Sequence, residues 1–485
     1  MILGLRQKYQ ALSLPVKATI WFTACNFILK GIGFFTGPIF TRLLPEEEYG
    51  VLSVIISYEQ LILILATWEI HLGAYQKGIF KYKDDVDFFT TATQALSNII
   101  TVLFFIIIFS LNKIVTLYTE MSIYTIVLMF INLLLCPSYY CWLARKRKAY
   151  EYKIGVGVTL LFSILNIVFP IVALLLIERT ANVKFGFTLI SSSMVFAFLF
   201  FQHANYWDLA KRWNETKTYW KYCIRFEGPL VLHSLSFLIL SQADRVMIKE
   251  MVGSSQAAFY SVAYSIACVV SILQSSVNTS LAPWRYQKLE EKKYNSIKVV
   301  TTSLLLPFAG LVLMFILVAP EIVGLLFPKS YYEAIWCIPP VSTSIFFMFL
   351  YTIFVNIEEY YEKTKYVVIV SVSCGLINIF LNYVCINRFG YIAAGYTTLI
   401  SYALFSLGHY YFMKKTLACE HIDSRTVIDG RAVFLISSAI LVLSFVITLL
   451  YNFALLRYVI FAIALLIGLC CRKKVLEAIK TINTK

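Results

Sequence analysis

The sequence GPIFTRLLPEEEYGVLSV covers residues 37–54, which we call the first hinge. It joins two long apolar segments through Arg42 and an acidic trio at residues 46–48. Further along the chain, MVGSSQAAFYSV at residues 251–262, the second hinge, aligns without a gap with LLPEEEYGVLSV at residues 43–54. A hinge that occurs twice indicates a duplicated architecture.

The composition indicates a membrane protein. Of the 485 residues, 59% are hydrophobic and only 14% are charged, whereas a soluble domain has about half and about a quarter. The apolar excess lies in continuous runs of about twenty residues, which is the length of a helix that crosses a bilayer. Because these runs do not alternate as barrel strands do, we predict an all-α polytopic membrane protein with about 14 transmembrane helices.

The net charge of +15 does not indicate a nucleic-acid partner, because the Lys and Arg residues lie in short clusters between apolar runs. In a membrane protein such clusters mark cytoplasmic loops. With the N-terminus inside, most clusters fall on one side of the membrane. An even number of spans then places both termini in the cytoplasm and the first hinge outside.

The duplication extends beyond the hinges. The fifth apolar segment, KIGVGVTLLFSILNIV, aligns with the eleventh, KYVVIVSVSCGLINIF, and pairs Asn166 with Asn378. The sixth and twelfth segments pair Gly186 with Gly395. Six spans per repeat give two halves of the same orientation, related by an axis along the membrane normal, which is a transporter layout.

We therefore predict two pseudo-symmetric six-helix bundles, at residues 1–215 and 216–415. Two additional transmembrane helices and a cytoplasmic tail follow at residues 416–485. Such bundles would face each other across a central cavity.

The sequence contains no pattern typical of catalysis. There is no GxxxxGK[ST] phosphate loop and no HExxH, and the 11 cysteines include no CxxC pair. We therefore expect no catalytic residue, no metal site and no cofactor, and an ion or substrate gradient as the driving force.

Four stretches resemble motifs of polysaccharide flippases. TRLLPEEEYG at residues 41–50 resembles the element after their first helix, and SQADRVMIKEMVGSSQAAFYSVAYSIA at residues 241–267 resembles the exit of their seventh helix. EKTKY at residues 362–366 is similar to the loop that enters their eleventh helix. INIFLNYVCINRFGYIAAGYTTLISY at residues 377–402 is similar to the stretch that follows.

The chain departs from that pattern at two places: Glu362 replaces the usual Gly, and Asn387 and Arg388 stand where a Pro is common. With these departures, the chain resembles the Wzx-like branch of the multidrug/oligosaccharidyl-lipid/polysaccharide exporter superfamily over helices one to twelve.

This resemblance implies a flippase that moves undecaprenyl-pyrophosphate-linked oligosaccharides from the cytoplasmic to the outer leaflet of the bacterial plasma (inner) membrane. The context would be O-antigen (lipopolysaccharide), capsule or exopolysaccharide assembly, by alternating access through a cationic cavity. The implied partners are the lipid-linked glycan and membrane lipids. A polysaccharide polymerase is a further partner that the resemblance allows.

Charges inside spans are the candidate site residues, because they are costly and usually face a cavity. Lys30 and Arg225 are candidates for binding pyrophosphate. Alternatively, Lys30 snorkels or pairs with Glu59, and Arg225 is a topogenic charge. Glu227 is predicted to open the seventh helix with Arg225, just before a break at residues 228–229.

Candidate gate residues are Arg42, Asp244 and Arg245, with the alternatives that Arg42 pairs with the acidic trio and that Asp244 and Arg245 form a structural pair. Glu59 and Glu227 are candidates for ion coupling. Four further polar residues at helix ends are expected to be solvated, with ion coupling as the lesser alternative; these are Glu69, His71, Glu358 and Glu359. His233 and His409 are expected to be packed helix residues.

Two other function classes remain open at this point. A cation-coupled multidrug or small-molecule exporter of the same superfamily would favour an acidic, aromatic cavity, whereas Lys30 and Arg225 favour an anionic cargo. A membrane glycosyltransferase or polymerase would need acidic catalytic residues in a large loop, and the predicted loops are short.

Overall fold

The computed structural model describes residues 12–203 and 206–466, and every regular element within them is helical. The first ten helices are α1 (Leu14–Leu43), α2 (Glu46–Thr67), α3 (Ala74–Lys81), α4 (Val86–Ser110), α5 (Asn112–Thr119), α6 (Ile123–Lys148), α7 (Tyr152–Leu176), α8 (Ala181–His203), α9 (Trp207–Lys211) and α10 (Trp213–Met251).

The remaining helices complete the described chain. They are α11 (Ser254–Glu290), α12 (Tyr294–Leu317), α13 (Ala319–Leu326), a 3₁₀ helix (Lys329–Cys337), α14 (Ile338–Tyr360), α15 (Thr364–Phe389), α16 (Ile392–Cys419), α17 (Ser424–Val427), α18 (Gly430–Leu449) and α19 (Ala454–Leu466). Both chain ends, with the whole predicted cytoplasmic tail, lie outside the described residues.

Twelve helices of the described chain are long and apolar enough to cross a membrane. The other two predicted spans also correspond to helices, namely α16, which has 28 residues but is less apolar, and the shorter α19. The all-α polytopic fold class is thus confirmed. Helices prevail because a chain in hydrocarbon has to satisfy its backbone hydrogen bonds internally.

The chain divides into two compact units between Leu235 and Ser236, within α10. We call the part before this division unit 1 and the part after it unit 2. The domain boundaries at 215/216 and 415/416 remain predictions.

The hinges mark the same helix boundaries in both halves of the sequence. The first helix ends at Leu43 and the next begins at Glu46, while α10 ends at Met251 and α11 begins at Ser254. These four positions are the ones that the gapless alignment pairs. Gly253, which precedes α11, has a φ of 142°, a conformation that glycine adopts without strain.

A side-chain hydrogen bond also recurs at aligned positions. In unit 1, Ser192 donates to Asn166 Oδ1 at 3.1 Å; in unit 2, Asn378 donates to Ser401 Oγ at 3.3 Å. Each of these bonds joins the same pair of helices in its unit, α7 to α8 or α15 to α16. The sequence repeat therefore corresponds to a repeated packing contact.

The same four pairs of helices pack on each other in both units. In unit 1, α6 packs on α8, α7 on α8, α4 on α6 and α2 on α6. In unit 2 the corresponding pairs are α14 on α16, α15 on α16, α12 on α14 and α11 on α14. This agreement gives the two units a common helical framework.

The predicted helix break at Gly228 and Pro229 is wrong, because α10 runs without interruption from Trp213 to Met251. Arg225 and Glu227 therefore lie inside this helix and do not open it. A proline removes one backbone hydrogen bond, which a long helix tolerates with a local kink.

Candidate functional site

A buried carboxylate, Asp244 of α10, joins four helices of unit 2. Its Oδ2 accepts hydrogen bonds from Tyr260 Oη of α11 at 2.5 Å and Thr398 Oγ1 of α16 at 2.7 Å. Its Oδ1 accepts from Asn382 Nδ2 of α15 at 2.5 Å, and Asn382 also donates to Asn378 Oδ1. Donors from three helices thus compensate for the desolvation of one carboxylate.

The neighbouring Arg245 has different partners. Its guanidinium donates to the backbone oxygen of Ser241 at 3.0 Å and to the Gln242 side chain. It also lies 4.4 Å from the centre of the Tyr264 ring. Asp244 and Arg245 are therefore each held by separate partners, and their role in a gate remains a prediction.

The Asp244 network is the part of unit 2 whose ligand chemistry suits a hard cation. Carboxylate, amide and hydroxyl oxygens are the ligands that such cations prefer. The described residues contain no group of three or more His, Cys, Asp and Glu that could hold a metal ion. The side chains of the Asp244 network offer oxygen ligands and no imidazole or thiolate, which are the ligands that transition metals prefer.

Glu227 is buried in unit 1 and holds the start of α3. Its Oε1 accepts a hydrogen bond from the backbone N–H of Ala74, the first residue of that helix. The preceding residue, Gly73, leaves no room for a side chain, because a Cβ there would lie 2.0 Å from Glu227 Oε1. A carboxylate at a helix N-terminus is favoured by the free N–H groups and the helix dipole.

A basic and aromatic surface lies beside this contact. We define the α3 surface as Lys77, Phe80, Lys81, Tyr222 and Phe226. Lys77 lies over the Phe226 ring at 4.8 Å and Lys81 over the Tyr222 ring at 4.5 Å, and both lysines are exposed. Phe80 is 64% exposed, so the surface combines cations with an apolar side chain, as interfacial helices do.

Two arginines near α3 are paired with carboxylates. Arg212 forms ion pairs with Asp85 and Glu215, and these hydrogen bonds, first that of Asp85, raise the pKa of the Arg212 guanidinium. Arg145 pairs with Asp87 at 2.6 Å. The lysines of the α3 surface instead contact aromatic rings, and Lys77 also acts electrostatically on Glu227.

His71 was expected to be solvated, and this expectation is wrong. The side chain is 1% exposed and stacks on the Tyr140 ring at 5.0 Å. Neither ring nitrogen has a hydrogen-bond partner among the described residues. Burial lowers the pKa of His71 from 6.5 to about 3, so the ring is neutral at pH 7.

The first hinge is held by a contact that the sequence did not indicate. Arg42 donates to the backbone oxygen of Pro38 at 3.0 Å and forms no ion pair with the acidic trio. Glu48 instead accepts a hydrogen bond from the backbone N–H of Ala181 at 2.6 Å. Glu48 therefore caps α8, and the gate role of Arg42 remains a prediction.

Lys30 and Glu59 lie on consecutive helices of unit 1, and Lys30 is exposed on α1. The basic group that acts electrostatically on Glu59 is Lys184 of α8, which also lies over the Phe40 ring at 5.0 Å. Lys184 lies in the first turn of α8, which begins at Ala181. The roles of Lys30 in substrate binding and Glu59 in ion coupling remain predictions.

The expectation of solvent exposure is also wrong for Glu358, though it holds for its neighbour Glu359. Glu358 of α14 and His409 of α16 are both fully buried, and His409 Nδ1 lies 3.1 Å from each Glu358 carboxylate oxygen. His409 is a packed helix residue, as expected, but its partner is an acid. The exposed member of the acidic pair is Glu359.

Sequence reasoning singled out Asp244 but missed Tyr260, Asn382 and Thr398 as its partners. All three lie within the stretches that carry the family resemblance, which was the available signal. Arg225 and Glu227 both lie on α10, but the Arg225 side chain is exposed and the Glu227 side chain is buried.

Two family models match the chain. A model described as a polysaccharide biosynthesis protein matches residues 16–288, and a MatE model matches residues 229–384. Among relatives, Lsg locus putative protein 1 of Haemophilus influenzae is 25% identical over 353 residues, covering 69% of this chain and 82% of its own length. An uncharacterized membrane protein of Methanocaldococcus jannaschii is 24% identical over 190 residues, 38% of this chain and 44% of its own.

Solved structures share the fold. The lipid II flippase MurJ in an inward closed conformation has a TM-score of 0.67 at 14% identity and covers 94% of this chain and 100% of its own. An inward-facing multidrug resistance MATE family transporter of the MOP superfamily has a TM-score of 0.59 at 12% identity, with 80% and 95% covered. At these identities the likeness establishes the fold alone, which is that of the predicted superfamily.

The polysaccharide biosynthesis model spans both hinges and more than half of the chain. The chain therefore belongs to the polysaccharide biosynthesis protein family.

Proposed function

We propose that this protein is a flippase that moves a lipid-linked oligosaccharide across a bacterial plasma membrane. The observation that carries the proposal is the family match over residues 16–288, which includes the α3 surface. The proposed cargo is an undecaprenyl-pyrophosphate-linked repeat unit of O-antigen, capsule or exopolysaccharide, with a polysaccharide polymerase as the next protein to act.

Such a cargo needs a polar path, because an ionised pyrophosphate in hydrocarbon costs tens of kcal/mol on idealised estimates. The reaction breaks no bond, so the protein has to supply positive charge, water and movement, and no nucleophile. Lys77 and Lys81 of the α3 surface, with exposed Lys30 and Arg225, provide positive charge on unit 1. Phe80 on the same surface would contact the lipid beside the headgroup.

The proposed topology follows the charge distribution. Both termini and the α3 surface are cytoplasmic, and both hinges are outside. The headgroup would therefore meet the α3 surface on the side where lipid-linked units are assembled. Residues 1–215 and 216–415 would be the two bundles that alternate in access.

The test is deletion of the gene in its native host, followed by analysis of the lipid-linked intermediates. We expect repeat units to accumulate on the cytoplasmic leaflet and surface polysaccharide to be lost, with both effects reversed by a plasmid copy. Normal surface polysaccharide in a strain without a second flippase gene would refute the proposal.

A second candidate, a cation-coupled exporter of small molecules, is favoured by one observation. The MatE match at residues 229–384 includes Asp244 and Asn382, and the carboxylate, amide and hydroxyl oxygens of that network are of the kind that bind a hard cation. An exporter predicts that deletion raises drug sensitivity while surface polysaccharide is unchanged. The two candidates therefore give opposite results in the same deletion strain.

A further inference from the structure

The Glu358–His409 pair lies within unit 2, apart from the Asp244 network in its hydrogen bonding. Both side chains are fully buried, and the imidazole Nδ1 is equidistant, at 3.1 Å, from the two carboxylate oxygens. The pair links α14 to α16, two helices that pack extensively on each other. A carboxylate and an imidazole at this distance share one hydrogen bond and one exchangeable proton.

Burial determines how many protons the pair holds. With one proton the pair is net neutral, whether the proton is on nitrogen or on oxygen. Without it the pair carries one negative charge, and with two protons one positive charge, and either charge is costly in an apolar interior. The pair therefore titrates as one unit with three charge states, of which burial favours the neutral one, and its protons belong to both residues.

His409 Nε2 has no hydrogen-bond partner among the described residues. The ring is held by the aromatic side chains of Tyr351 and Phe405, at 4.9 Å and 4.7 Å between ring centres. Packing thus sets the orientation of the His409 ring. Because Nε2 has no acceptor, no second hydrogen bond fixes the shared proton on the imidazole or on the Glu358 carboxylate.

The pair lies near the end of α14, where the helix is exposed. Glu358 precedes the exposed Glu359, and this helix ends at Tyr360. The other titratable groups that act on the pair are Tyr351 and Glu359 of α14, and Tyr286 of α11 donates to Glu359 at 3.3 Å. Glu358 therefore lies within one helical turn of the exposed end of α14, although its own side chain is buried.

We propose that the Glu358–His409 pair is a reversible proton-binding site, which takes its proton from water at the end of α14 and thereby alters the packing of α14 on α16. The proton comes from solvent and returns to solvent, and no other bond changes. If the proposed flippase function is correct, this site couples transport to a proton gradient, and only this link depends on that function.

The test is nitrogen-15 NMR of the imidazole rings in the full-length protein, reconstituted in lipid nanodiscs and titrated from about pH 5 to about pH 9. The chain has 5 His residues, so the variant His409→Gln assigns the His409 signals. We expect these signals to titrate, and Glu358→Gln to move their midpoint by at least about one pH unit, a tenfold change in proton affinity. The matched control Glu359→Gln should move the midpoint far less.

The proposal is wrong if the His409 signals do not change over this range, or if Glu358→Gln titrates like the wild type. Should Glu358→Gln fail to fold, Glu358→Asp retains the acid and withdraws it from the ring, and the same shift is expected. Transport in proteoliposomes is measured separately with an undecaprenyl-pyrophosphate oligosaccharide. Titration without transport contradicts the flippase function and leaves the site intact, whereas transport without titration contradicts the site.

Discussion

The second helix of each repeat begins at an equivalent residue, and the two helices then differ. In unit 2, α11 continues for 37 residues, to Glu290. In unit 1, α2 ends after 22 residues at Thr67, because Trp68 and Glu69 both adopt a left-handed backbone, with φ of 51° and 50°. The chain then forms α3, which has no counterpart after α11, and thereby creates the basic surface of unit 1.

The Asp244 network shows a second difference. When the hinge alignment is continued, Asp244 and Tyr260 correspond to Thr36 and Leu52. By the Gly186–Gly395 pairing, Thr398 corresponds to Leu189. Leu52 and Leu189 are buried in the apolar core of unit 1. The duplicated framework thus holds a buried carboxylate with polar partners in one repeat, and a partly exposed threonine with two buried leucines in the other.

The largest predicted effect contrasts Asp244 with Thr36. Asp244→Ala leaves the donors of Tyr260, Asn382 and Thr398 without their acceptor, and we expect a loss of about 3–5 kcal/mol in the free energy of unfolding. Thr36→Ala removes only a hydrogen bond to its own helix, at Gly33, and should cost less than about 1 kcal/mol. Denaturant unfolding in detergent measures both. Equal losses would mean that the repeats do not differ at this site.

The next prediction concerns the α3 contact in unit 1. Gly73→Ala places a Cβ against the Glu227 carboxylate and should cost about 1.5–3 kcal/mol, because a charged hydrogen bond to Ala74 is lost. In a Glu227→Ala background the same substitution should cost almost nothing. The control in unit 2 is Gly310→Ala, where no atom lies within 4 Å of the added Cβ. An unchanged cost in the double variant would rule out the contact as the cause.

The smallest predicted effect is a pH dependence caused by His71. Because its pKa is about 3 in the folded protein and 6.5 ordinarily, the unfolded chain binds the extra proton, and stability falls as the pH decreases below 6.5. At about pH 5 the loss should be about 2 kcal/mol. His71→Phe retains the stack on Tyr140 and should abolish this part of the dependence. A wild-type protein whose unfolding curve at about pH 5 is the same as its curve above pH 6.5 would contradict the assignment.

Hydropathy and the hinge repeat predicted most of the fold. Each of the predicted spans corresponds to a helix, because apolar runs of this length have one stable backbone arrangement in a bilayer. The hinge alignment predicted that the two halves have equivalent helix boundaries, and the structure places these at Leu43 and Met251 and at Glu46 and Ser254. Hydropathy does not predict α3, because an eight-residue amphipathic helix gives little hydropathy signal.

The polar contacts were less predictable. A sequence shows that Glu358 and His71 lie near helix ends, but it does not show which neighbouring helix covers them. Glu227 and Ala74 are 153 residues apart, and only the packing of α10 on α3 brings them together. Burial of a charged residue thus depends on tertiary neighbours that a span prediction does not contain.

The hydrogen bond between Glu48 and Ala181 has a mechanical consequence. It connects the first turn of α2 to the first residue of α8 across more than a hundred residues of chain. A tilt of α2 about the first hinge would therefore move the start of α8 in the same direction, so that the two helices would move together. Glu48→Gln would loosen this coupling without changing the shape of either helix.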